Sequence, residues 1–177
     1  LIADESRTGL GRTGKLLAQQ REAVEADLVC LGKAIGAGFF PVSAVCGSTA
    51  AFAQVFPEWM DCPSAGSPLA CAAVAASMKV LMEENLCENA EKMGNYLRTQ
   101  LKRAVQDWGG EVYGQGLLLA VKVNPQSPLT AEAAVEKLSE RGVLTALASS
   151  KCLHVCPPLI INKQECDHIV KAMTNLR

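Results

Sequence analysis

No long run of one charge sign and no bilayer-length apolar segment occurs in this sequence. Charged residues make up 20% of it, in both signs, and the formal net charge is -1. A basic tract of the kind that follows a phosphate backbone or an acidic membrane is missing, so nucleic acid is not an expected partner. The longest apolar stretches, Leu69 to Val80 and Leu117 to Val123, fall short of the ~20 residues that cross a bilayer, so no membrane segment is expected. The first residues, Leu1-Ile2-Ala3, carry neither a basic region nor a small-residue cleavage site. No targeting signal is read there, and without an initiator Met the chain is expected to be a fragment. Only two histidines, His154 and His168, are available, and no CxxC pair occurs. A metal site is therefore not expected.

What is present is enough apolar residue, 49% of 177, for a real core in one large or two small domains. The eight cysteines stand at 30, 46, 62, 71, 87, 152, 156 and 166, mostly inside apolar strand or helix patterns. That placement reads as reduced thiols, and the compartment as cytoplasm or an organelle matrix such as a mitochondrion or plastid, not the secreted space.

Along the chain, Leu1 to Asp4 reads as a short buried strand, closed by a loop containing Gly9, Gly11 and Gly14. Asp27 to Leu31 is a second apolar run too short for a helix, and Gly32-Lys33-Ala34-Ile35-Gly36-Ala37-Gly38 closes it. Val42 to Cys46 is a third strand, and Thr49 to Phe56 a short helix stopped before Pro57. Ser67 caps a long buried helix that starts at Pro68 and runs to about Glu83. Leu86, Ala90, Met93, Leu97, Leu101 and Ala104 recur at steps of three and four, which predicts an amphipathic helix to about Trp108, ended by Gly109-Gly110. Strands are predicted at Glu111 to Tyr113, Leu117 to Val123, Val143 to Ala146 and Cys152 to Cys156, with helices from Thr130 to Glu140 and from Lys163. The composition of elements changes near residues 84 to 95, where a domain boundary is expected.

Asp4 and Lys33 thus end two apolar strands, the place where open α/β sheets hold ligands. On residues alone, a lysine in a glycine-rich loop is usually a solvated surface residue, and only further context favours a functional Lys33. The run Leu1-Ile2-Ala3-Asp4-Glu5-Ser6-Arg7-Thr8-Gly9-Leu10-Gly11-Arg12-Thr13-Gly14-Lys15, followed by Leu31-Gly32-Lys33-Ala34-Ile35-Gly36-Ala37-Gly38 with Pro41, resembles the paired motifs of class III aminotransferases of the ornithine, acetylornithine and putrescine group. Pro63-Ser64-Ala65-Gly66-Ser67-Pro68-Leu69-Ala70-Cys71-Ala72-Ala73 and His154-Val155-Cys156-Pro157-Pro158-Leu159 resemble two further landmarks of that family, so the likeness covers the whole chain.

The resemblance implies an α/β fold. Residues 1–90 would be the back half of the pyridoxal-phosphate-binding major domain, of the aspartate aminotransferase-like kind, and residues 91–177 the small α+β C-terminal domain. It implies pyridoxal 5'-phosphate as cofactor, a homodimer, or a second chain that supplies the missing N-terminal half, and transfer of an amino group between an amine or amino-acid donor and a 2-oxo acid. Lys33 would be the covalent cofactor lysine and proton carrier, and Asp4 the carboxylate against the cofactor ring nitrogen.

Other cofactor contacts are implied at Ser6, where the family has Val or Ile, at Arg7, where it has Gln, and at Ser64, one residue after a Pro63 that replaces the family's Thr. His154 takes the place of the family's substrate-carboxylate arginine. The N-terminal part that normally supplies the phosphate cradle and most ring-stacking aromatics is not in this sequence. The four altered positions, Ser6, Arg7, Pro63 and His154, define an alternative: a truncated or degenerate homologue without catalysis, kept as a structural or interaction subunit.

Overall fold

The computed structural model describes residues 1–53, 55–60, 62–63, 65–174 and 176. The chain divides into two compact units, Leu1–Cys87 and Glu88–Arg177.

In the first unit, β1 (Ile2–Asp4), β2 (Leu28–Leu31) and β3 (Ala44–Gly47) form one sheet in that order. β1 and β2 are parallel, with Asp4 opposite Cys30, whereas β2 and β3 are antiparallel, with Leu28 opposite Gly47. The register between β2 and β3 leaves no room at Gly47, where a Cβ would stand 2.6 Å from Leu28 Cδ2 and 2.7 Å from the Asp27 carbonyl oxygen. The expected helix from Thr49 to Phe56 is shorter, α1 (Thr49–Phe52), capped by the Ser48 hydroxyl. Pro57 disfavours helical backbone in the residue before it and opens a 3-10 turn, Pro57–Met60.

α2 (Pro68–Glu83) begins where expected, with the Ser67 hydroxyl accepting the Ala70 N–H at 3.2 Å and proline in its first turn. It packs against the 3-10 turn Lys33–Gly36. Two expectations of burial are corrected here. Leu1 and Ile2 are exposed at the start of β1, and Leu69, Val80 and Met82 are exposed on α2, of which only Ala70 and Leu81 are buried. A helix apolar on all sides suits cover on all sides, which the first unit provides along one line only.

In the second unit, α3 (Leu86–Ala104), begun at the end of the first, turns Ala90, Met93, Gly94, Leu97, Leu101 and Ala104 inward, as their spacing predicts. It stops earlier than expected and passes into a 3-10 turn, Gln106–Trp108, closed by Gly109 at φ +69°. β4 (Glu111–Gln115), β5 (Leu118–Lys122), β6 (Ala146–Ser149) and β7 (Cys152–Val155) form an antiparallel sheet in the order β4-β5-β7-β6.

β6 lies three residues beyond the start expected for it. The β6–β7 turn falls at Ser150-Lys151, and a bulge between Leu147 and Ser149 adjusts the register to Cys152. α4 (Ala131–Glu140) is capped by the Thr130 hydroxyl, and α5 (Lys163–Met173) by a reciprocal box between Asn162 and Glu165. The core of the unit is a continuous cluster that includes Leu97, Leu101, Leu119, Val121, Leu138 and Leu153. Trp108 belongs to it, and its indole N–H is satisfied by the Met173 carbonyl at 3.2 Å.

Candidate active site

Parallel pairing decides the geometry around Asp4. Its partner Cys30 lies one residue before the end of β2, and the Glu5 N–H donates to the Cys30 carbonyl at 2.9 Å, which extends the ladder past β1. The two strands therefore end together. Asp4-Glu5-Ser6-Arg7 and Gly32-Lys33 leave the sheet at the same edge. The loops then lie side by side: a Cβ on Gly32 would stand 3.5 Å from the Ser6 Cβ, ordinary contact distance.

Asp4 is exposed, and Ser6 holds its carboxylate. The Ser6 N–H donates to Asp4 Oδ1 at 3.0 Å, and hydrogen bonds from the Ser6 hydroxyl and then this N–H hold the Asp4 carboxyl below its ordinary value. The carboxylate stays ionised and reachable, as a partner of a protonated ring nitrogen must. Lys33 is exposed as well, with φ +47°, in the left-handed region that non-glycine residues avoid. Packing holds the turn in this form. Gly36, at its end, has Val42 Cγ1 only 2.9 Å from where a Cβ would stand, so a side chain there would push the turn away from the sheet.

Glu5 is the residue that sequence reasoning passed over. It is 4% exposed, and its carboxylate accepts the Thr8 hydroxyl and, at 2.9 Å, the Gln19 N–H, while its carbonyl accepts the Gly9 N–H at 2.9 Å. Gly9 is needed there, because a Cβ would come within 2.9 Å of that carbonyl oxygen. Glu5 thus ties the loop after β1 beneath Asp4. The two-residue alternation of the strand, continued one position past Asp4, was the available signal: Asp4 faces out, so Glu5 faces in.

Arg7 is exposed in the same turn. Ser64 lies outside the described residues, and Pro63 is exposed in a turn before α2. His154 belongs to the second unit, on β7 between Ala120 of β5 and Ala146 of β6. The Thr145 hydroxyl donates to its carbonyl. The His154 ring lines a largely apolar cavity of about 790 Å³, together with Leu144, Cys156, Pro157, Ile160 and His168. Within the first unit, then, the fold brings Asp4, Ser6, Arg7 and Lys33 to one sheet edge.

Carboxylate and amine at that edge fit the reactive end of pyridoxal phosphate: an ionised acid for its ring nitrogen and a primary amine for its aldehyde. Among the described residues, no helix is long and apolar enough to cross a membrane, and no group of three or more His, Cys, Asp or Glu could hold a metal ion.

Comparison with known proteins gives the family. The profile of the Aminotransferase class-III family matches residues 1–176. An ornithine aminotransferase of Bordetella pertussis is 40% identical over 167 residues, covering 94% of this chain and 40% of the relative. The mitochondrial ornithine aminotransferase of Oryza sativa is 40% identical over 181 residues, covering 99% of this chain and 38% of its own length. Among solved structures, the ornithine aminotransferase of Plasmodium yoelii superposes with a TM-score of 0.93 at 35% identity, over 99% of this chain and 47% of that one. The acetylornithine aminotransferase of Elizabethkingia anophelis gives 0.92 at 35%, over 99% and 46%. The chain thus spans less than half the length of these relatives, and its fold is that of the corresponding part of pyridoxal-phosphate-dependent aminotransferases. By sequence from end to end and by backbone path, this chain belongs to the class III aminotransferases.

Proposed function

We propose that this chain is the part of a transaminase that carries the covalent cofactor lysine, in an enzyme moving an amino group between an amine or amino-acid donor of the ornithine, acetylornithine or putrescine kind and a 2-oxo acid. The observation that carries this reading is the joint ending of β1 and β2, which brings Asp4 and Lys33 to one exposed edge. Residues 1–90 then form the back half of the cofactor-binding domain and residues 91–177 the small domain.

When bound, pyridoxal phosphate supplies an electron sink for the carbon that bears the amino group. Asp4 would hold the proton on the ring nitrogen, because the Ser6 hydrogen bonds keep its carboxylate ionised. Lys33 would hold the cofactor through Nζ, and the same amine is the group that would carry a proton to or from the substrate carbon. Ser6 and Arg7 would lie beside the ring, with the Arg7 guanidinium able to donate to it, and Ser64 would serve the phosphate. His154 contacts the substrate, with a weaker hold on a carboxylate than a bidentate guanidinium gives.

A homodimer, or a second chain supplying the remaining half, completes the site. The compartment is cytoplasm or an organelle matrix, in keeping with the relatives from Oryza sativa and Drosophila melanogaster that are described as mitochondrial. A second reading, a non-catalytic homologue, is favoured by Pro63, which offers neither hydroxyl nor N–H.

The test is to titrate the protein with pyridoxal phosphate, reduce with borohydride and map the labelled peptide. The label is expected on Lys33 and lost in Lys33→Ala. A label on Lys15, or none at saturating cofactor, would sink the proposal and leave the non-catalytic reading.

A further inference from the structure

We infer that Cys156 and His154 form a nucleophilic thiol–imidazole pair that covalently captures apolar α,β-unsaturated carbonyl compounds in the cavity of the second unit. His154 Nδ1 lies 3.7 Å from Cys156 Sγ, and both side chains line the 790 Å³ cavity.

The placement is rigid on both sides. His154 stands in the middle of the sheet, paired to Ala120 on one flank and Ala146 on the other, and Thr145 bonds its carbonyl. Cys156 follows the last residue of β7 and precedes Pro157-Pro158, whose rings fix the backbone direction just beyond it. Residues two apart along a strand share a face, so imidazole and thiol meet without a long side chain having to be ordered.

The cavity sets the class of ligand. Leu144, Val155, Pro158, Ile160, Ile169 and Met173 line it with apolar surface, and Gln164, Glu165 and His168 add polar groups to the same lining. That surface suits an apolar chain and offers little to a charged thiol or peptide. A thiol is a soft nucleophile, and a neighbouring imidazole can take its proton.

The step balances without any oxidant or reductant. His154 Nδ1 takes the Cys156 proton, and a Sγ lone pair forms a bond to the β-carbon of the enone. The carbon–carbon π pair moves to the α-carbon as an enolate, and the enolate takes the proton back from the imidazolium. The product is a thioether and both His154 nitrogens return to their starting state.

This inference rests on the second unit and does not depend on Asp4 or Lys33, but it shares His154 with the substrate contact proposed above, so the Cys156 adduct and the Lys33 label are read separately. The experiment treats the full chain with trans-3-nonen-2-one and follows adducts by intact mass and peptide mapping, against acrylamide as a small polar probe and N-acetylcysteine as a reference thiol. Cys156 is expected to react at least about tenfold faster than N-acetylcysteine, with saturation by nonenone but not by acrylamide, and to lose that advantage in His154→Gln. Cys156→Ser should abolish the fast adduct. A rate at Cys156 no greater than that of N-acetylcysteine, a faster adduct on another cysteine, or a rate unchanged in folded His154→Gln overturns the inference. If His154→Gln does not fold, the wild-type contrast decides: linear dependence on both probes overturns it as well.

Discussion

The Ser6 N–H donates to Asp4 Oδ1 at 3.0 Å across a single intervening residue, so the loop that carries Ser6 also sets the charge state of Asp4. Because the Asp4 carboxyl is held below its ordinary value in the folded chain, its contribution to stability is present above the unfolded-state value and is lost as pH falls through the folded one. In Ser6→Ala, which removes the hydroxyl bond and leaves the N–H, the Asp4 carboxyl should titrate closer to its ordinary value. NMR titration of the Asp4 side chain would show this, and an unchanged midpoint would mean that Ser6 does not govern it.

Glu5→Ala should destabilise the first unit through the partners it abandons. The Gln19 N–H and the Thr8 hydroxyl, both half-buried, would lose their common acceptor, the buried Glu5 carboxylate. Since an unsatisfied donor costs about 1–3 kcal/mol when fully buried, the loss here should be about 1 kcal/mol. Thermal or urea unfolding of the variant measures it, and a loss below about 0.5 kcal/mol would place the carboxylate outside the loop's support.

Gly94→Ala should be among the most damaging single-methyl additions in the second unit. A Cβ at Gly94 would stand 2.1 Å from the Gly116 carbonyl oxygen, backbone against backbone, where no rotamer change relieves the clash. Overpacking of this kind costs about 1–3 kcal/mol or more. Leu97→Ala, at a fully buried position one turn away, should cost about 2–5 kcal/mol through the cavity it leaves. Denaturant unfolding of both variants tests the pair, and wild-type stability in Gly94→Ala would show that α3 does not approach the β4–β5 turn so closely.

Removing the Ser67 hydroxyl in Ser67→Ala strips the Ala70 N–H of its cap and should cost about 1 kcal/mol. Ser67→Asp should retain stability, since aspartate also caps and its charge faces the positive end of α2. Equal destabilisation by both substitutions would contradict a capping role.

All eight cysteines should titrate as thiols after denaturation, because the described residues contain none in a disulfide. In the native chain, Cys166 should be the last to react with a thiol reagent. It is buried, and burial first, then the nearby Asp167 and Glu165 charges, pushes its thiol up to about 11. Early modification of Cys166, ahead of the exposed Cys46 and Cys71, would be inconsistent with this packing.

Sequence alone determined the features that depend on neighbours within a turn or two. The Ser67 cap, the buried stripe of α3 from Ala90 to Ala104, and the apolar run of β2 all follow from spacing and side-chain chemistry, and the structure has them there. Only the tertiary structure decided what depends on partners far along the chain. Parallel pairing of Asp4 with Cys30 makes two strand ends coincide, and the order β4-β5-β7-β6 puts His154 in mid-sheet with Cys156 beside it. The β6–β7 register includes a bulge between Leu147 and Ser149, and Glu5 finds its donors only when the loop after β1 folds back beneath the sheet edge. The physical reason is that caps and periodicity are satisfied by local hydrogen bonds and one helix face. Strand register is fixed only when backbone groups distant in sequence meet, and no single segment carries that choice.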